Sequence, residues 1–194
     1  MVDSTQNRPT NAVTLLRYEN TDGSLGAYAS GSLISPYTVL TCGHCVWNRK
    51  QEKYNMRPMH IMPGAFRNKD AQLEAPFGDY VLTDTQNDKR TNKTFRNKKS
   101  QPHDYGAMYL RCPFEHLQTY MPLAFKAERK SVLLNGYPIE GLPEGVQGGS
   151  QLTDKGKVTD DWGRVMHYNT RSTGGASGAP VMIYDAPTKT HRQV

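Results

Sequence analysis

Short apolar runs separated by clusters of Gly, Pro, Asn and Asp set the rhythm of this chain. β-branched or aromatic pieces occur at 12–18 (AVTLLRY), 25–34 (LGAYASGSLI), 37–41 (YTVLT), 105–112 (YGAMYLRC), 131–138 (SVLLNGYP), 164–169 (RVMHYN) and 179–184 (APVMIY). Each is the length of one strand and is flanked by turn-forming residues. No stretch keeps apolar residues at helical spacing for more than about two turns. Many short strands with regular turn punctuation predict an all-β chain, an antiparallel barrel or sandwich. The stretch 112–130 reads as a seam, giving an N-terminal unit over 1–118 and a C-terminal unit over 119–194.

Composition narrows the possibilities. The 194 residues suffice for one or two small domains with a real core, although only 36% are hydrophobic. No run is long enough to span a membrane as a helix. The polar opening MVDSTQNRPTN lacks the apolar stretch of a secretory signal. The formal net charge of +6 mildly favours acidic partners. Much of that excess lies in DKRTNKTFRNKK, 88–99, which has neither helical nor strand periodicity and reads as a solvated loop rather than a nucleic-acid surface. Three cysteines cannot close a disulfide framework. A monomer without nucleic-acid or membrane partners is expected.

Three motifs carry candidate chemistry. In VLTCGHCV, 39–46, an apolar strand stops and presents His44 among small residues. Cys42, His44 and Cys45 are zinc-ligand types, but Cys-x-His-Cys is too cramped for three clean tetrahedral ligands, so neither a metal nor another cofactor is expected. In HDYGAMYLRC, 103–112, Asp104 stands just before an apolar strand, where a buried carboxylate needs a partner. It is either an exposed strand cap or the group that holds an imidazole. In STGGASGAPV, 172–181, glycines and alanines surround Ser177. Small neighbours let a substrate carbonyl approach a nucleophile, and the amides of Gly175 and Ser177 can converge as an oxyanion hole. A serine hydroxyl needs a base, and the base needs an orienting group. His44 and Asp104 supply both roles.

Taken together, in the order His, Asp, Ser, these motifs resemble the chymotrypsin-like serine proteases. SGSLISPYTVLTCGHCV, HDYGAMYL and GGASGAPV are similar to the segments that carry that family's histidine, aspartate and serine. LNGYP (134–138), KGKVT (155–159) and MHYNTRSTGGASGAPV (166–181) resemble the glutamyl endopeptidase, or V8-like, branch, with weaker agreement at HIMPGAF (60–66) and PFG (76–78). The resemblance implies two six-stranded-type antiparallel β-barrels, with His44 and Asp104 on the first and Ser177 on the second. It implies a serine endopeptidase acting on protein or peptide substrates through an acyl-enzyme. Ser172 falls where the family lines the floor of its specificity pocket, which implies a preference for Glu or Asp before the scissile bond. Relatives of this kind are usually secreted.

Some positions depart from the pattern. Ala176 stands where trypsin-type zymogens carry an Asp that pairs with a newly cut N-terminus, so that switch is not expected here. Cys45 has Ala29, not a cysteine, at the position that would bridge to it, and no disulfide is expected. The sequence ends 17 residues after Ser177, where the family continues through strands that close the second barrel. The expectation is a fragment with an incomplete second barrel. The alternative is a protease fold retained as an inactive binding module.

Overall fold

A computed structural model describes residues 9–83, 87–98, 101–124, 131–161, 165–185 and 190–194. Positions 1–8, 99, 125–130 and 164, on which parts of the sequence reading fall, lie outside these. The first sheet comprises β1 (Val13–Glu19), β2 (Leu25–Ser35), β3 (Thr38–Thr41), β4 (Met59–Pro63), β5 (Tyr80–Leu82), β6 (Lys89–Thr91) and β7 (Gly106–Tyr109). Their spatial order is β6-β7-β3-β2-β1-β4-β5, antiparallel throughout. The second sheet comprises β8 (Ser131–Gly136), β9 (Leu152–Asp161), β10 (Met166–Tyr168), β11 (Val181–Asp185) and β12 (Thr190–Gln193), in the order β10-β9-β8-β11-β12. The all-β, two-barrel architecture is present, with the two sheets separated in sequence between Tyr109 and Ser131.

The strands of the first sheet share one apolar core. Leu15 on β1, Leu33 on β2, Val39 on β3, Ile61 on β4, Leu82 on β5 and Met108 on β7 fill the first core. Fully burying such side chains stabilises the fold by about 1.5–3 kcal/mol each. Val132, Leu134, Val181 and Ile183 form the second, smaller core. Tyr137 and Met182, from the second half of the chain, pack into the first core instead. The Tyr137 hydroxyl, wholly buried, donates to the Val13 carbonyl at 3.4 Å. The two units are thereby joined by side chains as well as by the connecting chain.

The basic stretch is not the solvated loop its composition suggests. Lys89–Thr91 form β6, and Lys93–Lys98 form a short helix, α2. Phe95 is fully buried and accepts the Arg49 guanidinium over its ring, 4.1 Å from the centroid. One aromatic anchor folds the segment back, which periodicity over so few residues cannot reveal. Strand β9 was also missed, because LTDKGKVTDD has only Leu152 and Val158 as apolar residues, too few and too far apart to show a face. Its identity as a strand comes from pairing with β8, Val132 opposite Gly156 and Leu134 opposite Asp154.

A tight approach docks the second unit's turn on the first sheet. The Ser30 amide on β2 donates to the Ser177 carbonyl at 2.8 Å. Gly178 has φ +83, and any Cβ there would overlap the Thr41 hydroxyl and the Ser30 carbonyl. Only glycine meets both demands. Gly178→Ala should therefore destabilise the protein by at least about 2 kcal/mol, measured by chemical denaturation; an unchanged midpoint would contradict this docking.

Lys89 supplies a second test. Its side chain is fully buried, its ammonium donates to the Asn55 carbonyl at 2.8 Å, and no carboxylate pairs with it among the described residues. Burial lowers its pKa from the ordinary lysine value of 10.5 to about 8. Between those values the unfolded chain holds a proton that the folded chain has released, so the Lys89 contribution to stability rises with pH across that window. The expected gain is up to about 3 kcal/mol. In Lys89→Met the rise should vanish, as read from denaturation midpoints from pH 8 upward.

Candidate active site

His44 sits on α1 (Gly43–Val46), a single turn that follows β3 directly. Asp104 immediately precedes Tyr105 and β7, the strand hydrogen-bonded to β3, with Gly106 opposite Thr41. Two positions 60 residues apart thus meet at one end of a strand pair. The His44 Nδ1 lies 2.8 Å from Asp104 Oδ2, and the His44 backbone amide donates to Asp104 Oδ1, also at 2.8 Å. Both carboxylate oxygens are engaged by one residue, which fixes the imidazole's tilt as well as its position. Gly43 makes this possible, since a Cβ there would press against Asp104 Oδ1, the Thr91 hydroxyl and the Phe95 ring.

The electrostatics follow from that contact. The hydrogen bond to Asp104 raises the His44 pKa, partly offset by burial. Burial acts to raise the Asp104 pKa, but the bonds from the His44 ring and amide outweigh it and hold the carboxyl below its usual value. Of the two sequence readings of Asp104, exposed cap or imidazole partner, its contacts match the second. The His44 side chain remains 43% exposed, so its far edge faces solvent.

The Ser177 turn lies against the same wall. Besides accepting from the Ser30 amide, the Ser177 carbonyl lies 3.9 Å from the Cys45 thiol, one residue after His44. A Cβ on Gly178 would also come within 3.0 Å of the Cys42 amide. The backbone of residues 177–178 therefore touches both sides of the His44 turn. The Gly174 carbonyl accepts from the Ile139 amide at 2.8 Å. Across a trans peptide the Gly175 N–H must point the opposite way. Neither the Gly175 nor the Ser177 amide donates to any group among the described residues. Ser172 is exposed and likewise makes no hydrogen bond among them.

Sequence reasoning missed one participant. Ser30 is fully buried, and every polar group it has is used at this junction. Its hydroxyl donates to the Gly175 carbonyl and accepts from the Tyr137 amide, both at 2.9 Å. Its own carbonyl accepts from the Thr41 hydroxyl at 2.8 Å. The run of small residues ASGS inside an otherwise apolar strand was the available signal, since bulk is absent where another backbone comes close. The three cysteines are free: Cys45 buried, Cys42 half-buried and Cys112 exposed.

Comparisons with known proteins accord with this geometry. Residues 29–185 match the profile of the trypsin-like peptidase domain. No curated protein matches the chain in sequence. Among solved structures, a Glu endopeptidase in complex with MPD superposes with a TM-score of 0.76 at 19% identity, covering 98% of this chain and 86% of that one. The thermostable serine protease AL20 from an extremophilic microorganism gives 0.70 at 18% identity, over 94% and 82% of the two chains. The protease Anisep from Arthrobacter nicotinovorans gives 0.68 at 18%, over 96% and 83%. At such identity the likeness establishes the fold, while the profile spans most of the sequence. With a profile of that extent matched across both sheets, the chain belongs to the trypsin-like peptidase domain family of serine peptidase hydrolases.

Proposed function

We propose that the protein is a serine endopeptidase in which His44, Asp104 and Ser177 act as a unit on peptide substrates. One observation carries this reading: the imidazole gripped by Asp104 stands on the wall against which the Ser177 turn is docked. In the proposed reaction the Ser177 hydroxyl attacks the scissile carbonyl carbon as its proton passes to His44 Nε2. Asp104, on Nδ1, leaves Nε2 as the acceptor nitrogen and stabilises the imidazolium. The oxyanion is received by the Gly175 and Ser177 amides, which have no other acceptor among the described residues. The intermediate collapses, the leaving amine takes the proton from His44, and a water deprotonated by His44 then hydrolyses the acyl-enzyme.

The finer assignment is a preference for Glu or Asp before the scissile bond. The exposed Ser172 hydroxyl is free to donate to a substrate carboxylate, and one of the structural neighbours is a Glu endopeptidase. The protein acts as a monomer on peptides, without nucleic-acid or membrane partners. No helix among the described residues is long and apolar enough to cross a membrane.

A fluorophosphonate probe should label the protein at Ser177. Ser177→Ala should abolish labelling, and His44→Ala should slow it by at least about a thousandfold. Binding of peptides without labelling or cleavage would instead favour an inactive binding module. In a series of peptides differing only before the scissile bond, Glu and Asp should be cut faster than Lys, and the reverse order would remove the acidic preference. Ser30→Ala should lower kcat by about tenfold with little change in KM, because its hydroxyl orients the Gly175 peptide and reaches no substrate.

A further inference from the structure

We propose that Cys42, His44 and Asp104 form a binding site for a soft divalent cation of the zinc or cadmium class, and that an ion there blocks the proposed catalytic histidine. The donor atoms of the three side chains all lie within 4.8 Å of one another. No other three His, Cys, Asp or Glu side chains gather so closely among the described residues. Zinc bonds to sulfur, nitrogen and oxygen at about 2.0–2.3 Å, which sets ligand atoms roughly 3.3–3.8 Å apart around a tetrahedral ion. The cluster reaches that spacing by side-chain adjustments of about an ångström, and a fourth position is left for water.

Three further features support the site. Cys42 occupies the N-cap position of α1, yet its side chain makes no capping hydrogen bond. Its sulfur is engaged instead with the neighbouring Cys45 thiol, a contact that a metal–sulfur bond would replace. Asp104 is already oriented by the His44 amide through its other oxygen, an outer contact of the kind that steadies a metal-binding carboxylate. Side-chain exposures of 43% for His44 and 22% for Asp104 leave a route for the ion. The three side chains that gather are not those of the local Cys-x-His-Cys pattern. Folding supplies Asp104 in place of Cys45 as the third ligand.

Binding displaces the Cys42 thiol proton to solvent as the metal–sulfur bond forms. When the ion takes the imidazole edge facing Asp104, the ring's proton resides on Nε2. That nitrogen then has no lone pair to accept the Ser177 proton. The inhibitory consequence rests on the proposed function; the binding itself does not.

The two are tested separately, in a Cys112→Ser background that leaves only Cys42 and Cys45 as thiols. Cadmium titrated into this protein should bind at one equivalent with an ultraviolet thiolate-to-metal charge-transfer band of single-thiolate intensity. Cys42→Ser should abolish the band, Cys45→Ser should retain it, and Asp104→Asn should weaken binding by about tenfold or more. A band of two-thiolate intensity, one lost with Cys45 alone, or no binding at micromolar cadmium would overturn the site. Retention of the band in Cys45→Ser identifies Cys42 as the thiolate even if Cys42→Ser misfolds. Separately, zinc should suppress fluorophosphonate labelling and a chelator should restore it. Labelling untouched by bound metal would overturn the inhibitory role, whereas absence of labelling in metal-free protein would count against the peptidase reading alone.

Discussion

The approach of the Ser177 turn to the His44 turn depends on the junction at Ser30. That residue lies in the middle of β2, fully buried, and joins four segments: its amide and hydroxyl bond the Ser177 and Gly175 carbonyls, Tyr137 donates to it, and Thr41 donates to its carbonyl. A buried hydroxyl left unsatisfied costs on the order of 1–3 kcal/mol, so such a junction is favourable only when every partner is in place. The penalty for incomplete assembly makes the docking close to all-or-none. It places a turn of the second unit on a strand of the first, in the register that brings residues 177–178 against the His44 turn.

The His44–Asp104 contact is a different kind of constraint. It is local to the first sheet, and it arises because β7 is the hydrogen-bonded neighbour of β3. Gly43 and the buried Phe95 shape the space in which the carboxylate sits. Seen this way, the basic segment at 88–98 is part of the site's support. Phe95 backs the His44 turn, and α2 lays its Arg96 guanidinium over the Trp47 ring, 5.3 Å from the centroid. A charge count alone assigns that segment to solvent, because charges are visible in a sequence and the one buried ring among them is easily overlooked.

The same crowding gives the site a second chemical character. A thiol, an imidazole and a carboxylate are three ligand types that together suit soft divalent ions better than hard ones. A side chain poised to pass a proton is, by the same lone pair, a metal ligand. Cys42 is what turns an ordinary His–Asp pair into a three-donor set, and its neighbour Cys45 is turned towards the Ser177 carbonyl.

By itself the sequence determined the all-β class, since turn residues at short intervals leave no room for long helices. It also determined the candidates His44, Asp104 and Ser177, because each sits in a short motif whose composition suits its chemistry, and the chain's resemblance to a known family links the three. Strands β4 and β9 were hidden: β4 is buried at four of its five positions and shows no alternation, and β9 has only Leu152 and Val158 as apolar residues on its inner side. Ser30 was overlooked because the small residues around it signal a close approach without saying which backbone comes close. Which side chains touch is decided by strand pairing over separations of 60 residues and more, as at His44 and Asp104. Such pairings are set by the packing of whole sheets, and short-range sequence patterns carry no record of them.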